Sequence, residues 1–396
     1  MKGLGKLGIG VAVVTAAVAA LAPLGTGVLA AATGNWPMFA DGPAHNGVNR
    51  AETTLTVSNV SGLHIARTYP AWGEIAADTV YQVIVGSLGY SVTPGTNGGA
   101  NTFISAFQLP SGRRAWRHAV SSHNQSWNYV PAVSEGILYI GGDSQMTAYN
   151  AVSGALVWST PVSPNSEFNE VTVANGMVYA DTYYGETAYA FNASNGKVVW
   201  SVAPPGCCLT GAVTVSGGVA YIAQSQTLFA YKATTGEQIF AKADGGSTDT
   251  VAVSGGVVFV QSINGTTGGH LQAFNATSGA RLWSVVTEAG NSYSSLTPAV
   301  DGSTVVVGTT RYLIAFAAGT GSRLWTYDTG TSFTDFLPPS IANGVVYAGS
   351  IGNGLQAVRE STGVVLYTSR SNCWSAIVSH SEVFAPCTGG ETVWSL

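Results

Sequence analysis

The chain has 396 residues, of which 46% are hydrophobic and 10% aromatic, a composition that excludes a disordered polymer. Only 9% are charged and 50 are glycine, which favours many short strands and tight turns over helices. The net charge of −5 gives no overall basic footprint and argues against nucleic acid as a partner.

Residues 1–32 read as a signal peptide. Lys2 and Lys6 supply a positive start, Leu7 to Leu24 an apolar core, and Ala30-Ala31-Ala32 the small residues of a cleavage site. Cleavage is expected between about Ala30 and Thr33, giving a secreted, extracellular or cell-envelope protein; the alternative is a leader retained as an anchor. No cysteine precedes Cys207, which excludes a lipid-modified N-terminal cysteine, and no later stretch is apolar enough to span a bilayer. Residues 33–60 form a lead-in, containing Asn35-Trp36-Pro37-Met38-Phe39 and Ala44-His45-Asn46-Gly47.

Residues 61–396 form a single repeat domain. One unit recurs seven times: Ala-aromatic, three variable residues, Ser/Thr-Gly (Asn195-Gly196 in the third copy), three residues, then an aromatic, with the seventh, Ala357-Val358 to Tyr367, looser. The alanines are Ala106, Ala148, Ala190, Ala230, Ala273, Ala315 and Ala357, at steps of 42, 42, 40, 43, 42 and 42 residues. The closing aromatics are Trp116, Trp158, Trp200, Phe240, Trp283, Trp325 and Tyr367. Upstream of each unit two apolar runs flank a Gly turn, as in Pro131 to Tyr139, so each period holds two hairpins. Four strands in about 40 to 45 residues make a propeller blade. After Tyr367 the chain supplies three more strands, and Ser61-Gly62-Leu63-His64-Ile65-Ala66 matches the missing fourth. The expected fold is therefore all-β: an eight-bladed β-propeller of four-stranded blades, closed by pairing Leu63 to Thr68 with Thr392 to Leu396.

The unit resembles the tryptophan-docking repeat of PQQ-like (pyrroloquinoline-quinone-type) propellers over about residues 36–396, and the lead-in is similar to one that many exported members carry. The resemblance implies that Trp116, Trp158, Trp200, Trp283 and Trp325 pack on neighbouring blades. Phe240, Tyr367 and Ala66 depart from it, so docking should be weakest there. Asn150, Asn192 and Asn275, where the family often has Asp, are expected to hold turns.

No hydrolase signature, metal-binding histidine pair or phosphate loop occurs, so no residue is assigned as catalytic or metal-binding. His45, His64, His118, His123, His270 and His380 read as loop or surface residues. Propeller ligands bind where loops converge on the axis, on the face of the D-to-A and B-to-C connections. Counting back from the strand-A turn places Tyr129, Phe168, Asp249, Phe336 and Trp374 at one level of that face. Trp72 and Glu170 lie one step inward, and Asp335 is alongside. Apolar walls with a few polar groups suit a pocket, although the rings could equally plug the channel. Two B-to-C loops, Gly86 to Asn101 in blade 1 and Ile263 to His270 in blade 5, should project from the same face.

The four cysteines of an exported chain are expected to pair, Cys373 with Cys387 in the closing blade and Cys207 with Cys208 on the ligand face. Quinoprotein alcohol dehydrogenases of this architecture use a disulfide between adjacent cysteines beside their quinone, a Ca²⁺ held by Glu and Asn, and an Asp base. Glu170, Asn169, Asp249 and Asp335 are residues of those types, without a motif that assigns them. The leading expectation is a noncatalytic binding or scaffold propeller, acting as a monomer on a protein, peptide or glycan, with no cofactor. The alternatives are a PQQ- and calcium-dependent dehydrogenase of alcohols or sugars, and a component of envelope assembly.

Overall fold

The computed structural model describes residues 34–396 except 70–81, 94–101, 122–128, 165, 184, 207–210, 249, 265–267, 288–296, 331–337 and 351. Eight antiparallel sheets form a ring, each with strands A to D from the axis outward. Blade 1 runs from Val83–Val85 through Leu88–Thr93 and Thr102–Gln108 to Arg114–Val120. Blade 2 has Ala132–Ser134, Ile137–Gly142, Gln145–Asn150 and Leu156–Pro161; blade 3 has Thr172–Ala174, Met177–Asp181, Ala188–Asn192 and Val198–Val202. Blade 4 begins at Thr214–Ser216, blade 5 at Ala252–Ser254, blade 6 at Ala299–Asp301 and blade 7 at Ser340–Ala342. In blade 5 the short strand Ser247–Thr248 also pairs with the far end of strand B.

Blade 8 closes the ring. Its strands A to C are Ile377–Ser379, Glu382–Cys387 and Gly390–Ser395, and its strand D is His64–Tyr69 from the other end of the chain. The closing register pairs His64 with Ser395, Ile65 with Trp394 and Thr68 with Thr392. A disulfide joins Cys373 to Cys387 across the first hairpin of this blade, as expected.

In blades 1 to 7 the turn between strands C and D receives a ring from the blade before it. The indole N–H donates to a backbone carbonyl at that turn: Trp116 to Ala151 (3.0 Å), Trp158 to Ala193 (2.8 Å), Trp200 to Ala233 (2.8 Å), Trp283 to Ala318 (2.9 Å) and Trp325 to Glu360 (2.6 Å). The turn glycine has positive φ, and the ring lies so close that a Cβ on Gly196 would come within 2.5 Å of Trp158 Cε3. Glycine is required there for both reasons. Asn150, Asn192 and Asn275 hold the turns by accepting backbone N–H bonds.

The departures from the repeat have different outcomes. Phe240 lies over Gly279 without an indole donor, so the Ala276 carbonyl keeps the Tyr221 hydroxyl at 2.8 Å but lacks the indole N–H that Ala151, Ala193 and Ala233 receive beside the equivalent tyrosine. At Ala66 the expected weak docking is corrected: Arg67 stands opposite Val393, where other blades set their docking ring, and Tyr69, two residues further along the same face, supplies the ring instead. The Tyr69 ring lies over Gly112, and its hydroxyl donates to the Pro110 carbonyl at 2.7 Å.

Two expected loops are also corrected. Gly86 and Ser87 form the A-to-B turn of blade 1, and Leu88–Thr93 is its strand B, so only 94–101 connect B to C. Small Gly89 and Ser91 mask the alternation in the sequence, yet Leu88, Tyr90 and Val92 are buried. In blade 5 the extra residues mostly lengthen strands B and C, Val257–Asn264 and Gly268–Asn275. Among the described residues no helix is long and apolar enough to cross a membrane.

Candidate functional site

The channel has two different ends. The lead-in occupies one of them, running around the axis at the level of the middle residue of strand A. Ile84, Val133, Val215, Val253, Val300 and Ile341 donate their N–H groups to the carbonyls of Trp36, Pro37, Pro43, Ala44, Asn46 and Gly47 respectively. Six blades are thus tied to one segment, and backbone groups that would face an open channel are satisfied. Gly47, at φ +66°, has the Pro339 carbonyl 3.0 Å from where a Cβ would stand. The lead-in then crosses the A-to-B turns, with Arg50 paired to Asp301 at 2.6 Å and Glu52 accepting the Ser381 N–H at 2.9 Å.

His45 lies at the centre of this plug, fully buried, and not in a surface loop as the sequence reading had it. Thr214 donates its hydroxyl proton to the Val251 carbonyl at 2.7 Å, so it accepts from His45 Nδ1 at 3.0 Å. His45 Nε2 must then accept from Thr172, at 3.1 Å. The ring is therefore neutral and protonated on Nδ1, and burial holds its pKa down to about 3. Phe39 meets His45 edge-on, with ring centroids 5.6 Å apart.

The other end carries the D-to-A and B-to-C connections. The connection entering blade 3 is sewn to both neighbours. Ser144 donates to the Ser166 carbonyl (2.6 Å) and Phe168 to that of Gly142 (3.3 Å) on one flank. On the other, Tyr183 donates to Glu167 (2.8 Å) and Asn169 to Asp181 (3.0 Å). Side chains add to this frame: Tyr129 donates its hydroxyl to Glu167 Oε1, and the Asn169 amide donates to Asp181 Oδ1, both at 2.7 Å. Glu170 is buried beside them. Further round, Asp244 closes blade 4, where burial pushes its carboxyl up to about 7 against the opposing Gly246 N–H. Between mouth and plug, Trp36, Phe39, Gln82, Pro339, Ser375 and Ala376 line a small cavity.

Of the sequence candidates, Tyr129 and Glu170 lie in this framework. Phe168 is wholly buried between blades 2 and 3 against Tyr189 and Phe191. Trp374 is largely buried at the entrance of blade 8, its N–H donating to Pro386. Trp72, Cys207, Cys208, Asp249, Asp335 and Phe336 lie outside the described residues. Sequence reasoning missed Glu167, Asp181 and Asp244. Asp181 stands on strand B where blade 2 has Gly141 and blade 4 has Ala223, a position that a closer comparison of the repeats would expose.

Among the described residues no three His, Cys, Asp or Glu side chains converge to hold a metal. The Asn169 amide is committed to Asp181. Asn169 and Glu170, the two cage candidates among the described residues, do not by themselves assemble a calcium–quinone cage, and Asp249, Asp335, Cys207 and Cys208 lie outside those residues. Tyr129, Glu167, Asn169, Glu170, Asp181 and Asp244 are all buried, so these side chains brace the connections that frame the mouth.

A family model described as outer membrane protein assembly factor BamB, of the PQQ-like repeat type, matches residues 100–210 and 185–394. The chain belongs to this family. Among solved structures, BamB from Moraxella catarrhalis is similar with a TM-score of 0.61 at 15% identity, over 84% of this chain and 98% of that one. Quinohemoprotein alcohol dehydrogenase from Comamonas testosteroni aligns with a TM-score of 0.69 at 12% identity, over 92% and 80%. A europium-containing methanol dehydrogenase gives 0.66 at 12%, over 89% of each chain. No curated protein matches the chain. At these identities the structural likeness speaks to the fold.

Proposed function

We propose that this member of the BamB-like family is an exported, noncatalytic recognition propeller whose open mouth binds a protein, peptide or glycan outside the cytoplasm. The observation that carries this reading is the connection entering blade 3. It is hydrogen-bonded into two blades and tied by the buried Tyr129–Glu167 pair to the adjacent connection entering blade 2, while the lead-in occupies the far end. A rigid ring holding loops at one face is suited to selective binding, because little ordering is left to occur on association. The family's description as an assembly factor supports a protein partner in the envelope. Residues 1–32 are the export signal in this reading, and an intact mass beginning between about Ala30 and Thr33 would accord with it.

The test is a peptide and glycan array probed with the purified protein. Binding should be lost in Tyr129→Ala and Glu167→Gln and retained in Glu237→Gln, on strand-turn surface away from the mouth. Binding indifferent to all three would refute the mouth as the site.

A second reading, a PQQ- and calcium-dependent dehydrogenase, draws on the fold shared with the alcohol dehydrogenase over 92% of this chain. No catalytic step is derived for it, since the described residues do not form the cage.

A further inference from the structure

The net charge conceals a basic strip on the rim of blade 1. Residues 82–121 contain no Asp or Glu, yet Arg113, Arg114 and Arg117 fall within five positions. All three are exposed. Elsewhere Arg50, Arg67, Lys232 and Arg311 each meet a carboxylate. Here the orienting groups are neutral. Arg113 donates from Nε and Nη2 to Gln108 Oε1 at 3.1 and 2.9 Å, and the Arg117 guanidinium lies 3.5 Å from the centre of the Phe103 ring. Such contacts fix the side chains without cancelling their charge.

Backbone geometry aligns two of them. Strand D of blade 1 pairs with strand C so that Arg114 stands opposite Phe107, Trp116 opposite Ala106 and Arg117 opposite Ser105, with a bulge at Ala115. The bulge restores one residue of register, so Arg114 and Arg117 share a face while Trp116 turns to blade 2. Every blade has this bulge, but the matching pairs are Leu156 and Ser159, Val198 and Ser201, or Arg281 and Ser284. Only in blade 1 are both members cations.

This strand is also the outer edge of its sheet, with no further strand beside it among the described residues. An open edge offers a ladder of backbone donors and acceptors to an added strand. We infer that the rim of blade 1 binds an extended acidic polypeptide segment, which adds to the edge Arg114–Val120 and sets its carboxylates against Arg113, Arg114 and Arg117. This surface is separate from the mouth. The ladder favours a polypeptide over an anionic polysaccharide, which would use the charge alone.

The test is fluorescence anisotropy with a labelled alternating Glu-Thr octapeptide and the full-length protein. Saturable binding that weakens by about tenfold in Arg114→Glu/Arg117→Glu, and is unchanged in Arg281→Glu, is expected. The same peptide N-methylated at alternate residues keeps its charge and should bind far more weakly. Equal binding of the methylated peptide overturns strand addition, and tighter binding of a sulfated polysaccharide than of the peptide overturns the polypeptide assignment. No saturable binding, or binding insensitive to the double reversal in a variant with unchanged circular dichroism, overturns the site itself.

Discussion

The indole N–H of Trp158 reaches the Ala193 carbonyl of the next blade at 2.8 Å, and that ring is the floor on which Gly196 rests. One contact therefore joins a hydrogen bond, an apolar seam and a glycine requirement. Trp158→Phe keeps most of the seam and loses the bond, at a cost of about 1 kcal/mol. Trp158→Ala opens the seam and should cost about 3–5 kcal/mol. Gly196→Ala and Gly176→Ala share the left-handed cost of about 1–2 kcal/mol, with φ of +71° and +73°. Only Gly196 has a ring in the way, so its substitution should be the more destabilising in urea denaturation. Equal costs would show that the ring moves aside freely.

Acid and base act on the ring in opposite senses. An unfolded chain takes up a proton on His45 near 6.5, but the folded one does so only near 3. Its contribution is therefore complete above about pH 6.5 and lost as the pH falls toward 3. Burial raises Asp244 to about 7 and Glu391 well above the usual carboxylate range. Those two keep protons that the unfolded chain gives up near pH 4, so their contribution is lost as the pH rises toward the folded values. Asp41, raised by burial to about 8, and Glu360, raised by burial, act in the same sense, and these four carboxyls outweigh the lowered His45 and His380, so the Tm should fall from about pH 5 to about pH 8. The fall should shrink in Glu391→Gln, and a Tm that rises over the same range would count against these burials.

Closure rests on the terminal strand pair and the Cys373–Cys387 bond. The bond spans 14 positions, for which chain entropy gives about 3 kcal/mol. Cys373→Ser/Cys387→Ser should lower the denaturation midpoint accordingly, and free-thiol assay of the wild type should find this pair oxidised. Deleting residues 392–396 removes the partners of His64, Ile65, Arg67 and Thr68 and should unfold the ring cooperatively. An unchanged Tm would refute the closure.

The blades were legible because their signal is periodic: six units carry an Ala-aromatic pair, the looser seventh has Ala357-Val358, and all seven carry a turn glycine and a closing aromatic. Even the shared closing blade could be read from Ser61-Gly62. Tyr69 was not, because the ring over Gly112 comes from three positions beyond Ala66, where the repeat spacing puts the docking residue. His45 was missed for a different reason. Its burial depends on an irregular segment meeting Thr172 and Thr214 of two blades, contacts at sequence distances of 127 and 169. The mouth was legible only as a level on a face. Strand alternation could not separate Phe168, which turns into the blade seam, from Tyr129, which bonds to Glu167 of the adjacent connection.

The central claim is that the mouth recognises a partner and performs no quinone chemistry. It is tested by titrating the metal-stripped protein with PQQ and Ca²⁺ while recording the absorption spectrum, followed by dye-linked assay on simple alcohols and aldose sugars. The account predicts no stoichiometric quinone band and no dye reduction. One equivalent of bound quinone with dye reduction, abolished by Glu170→Ala or Asp249→Ala, would contradict it.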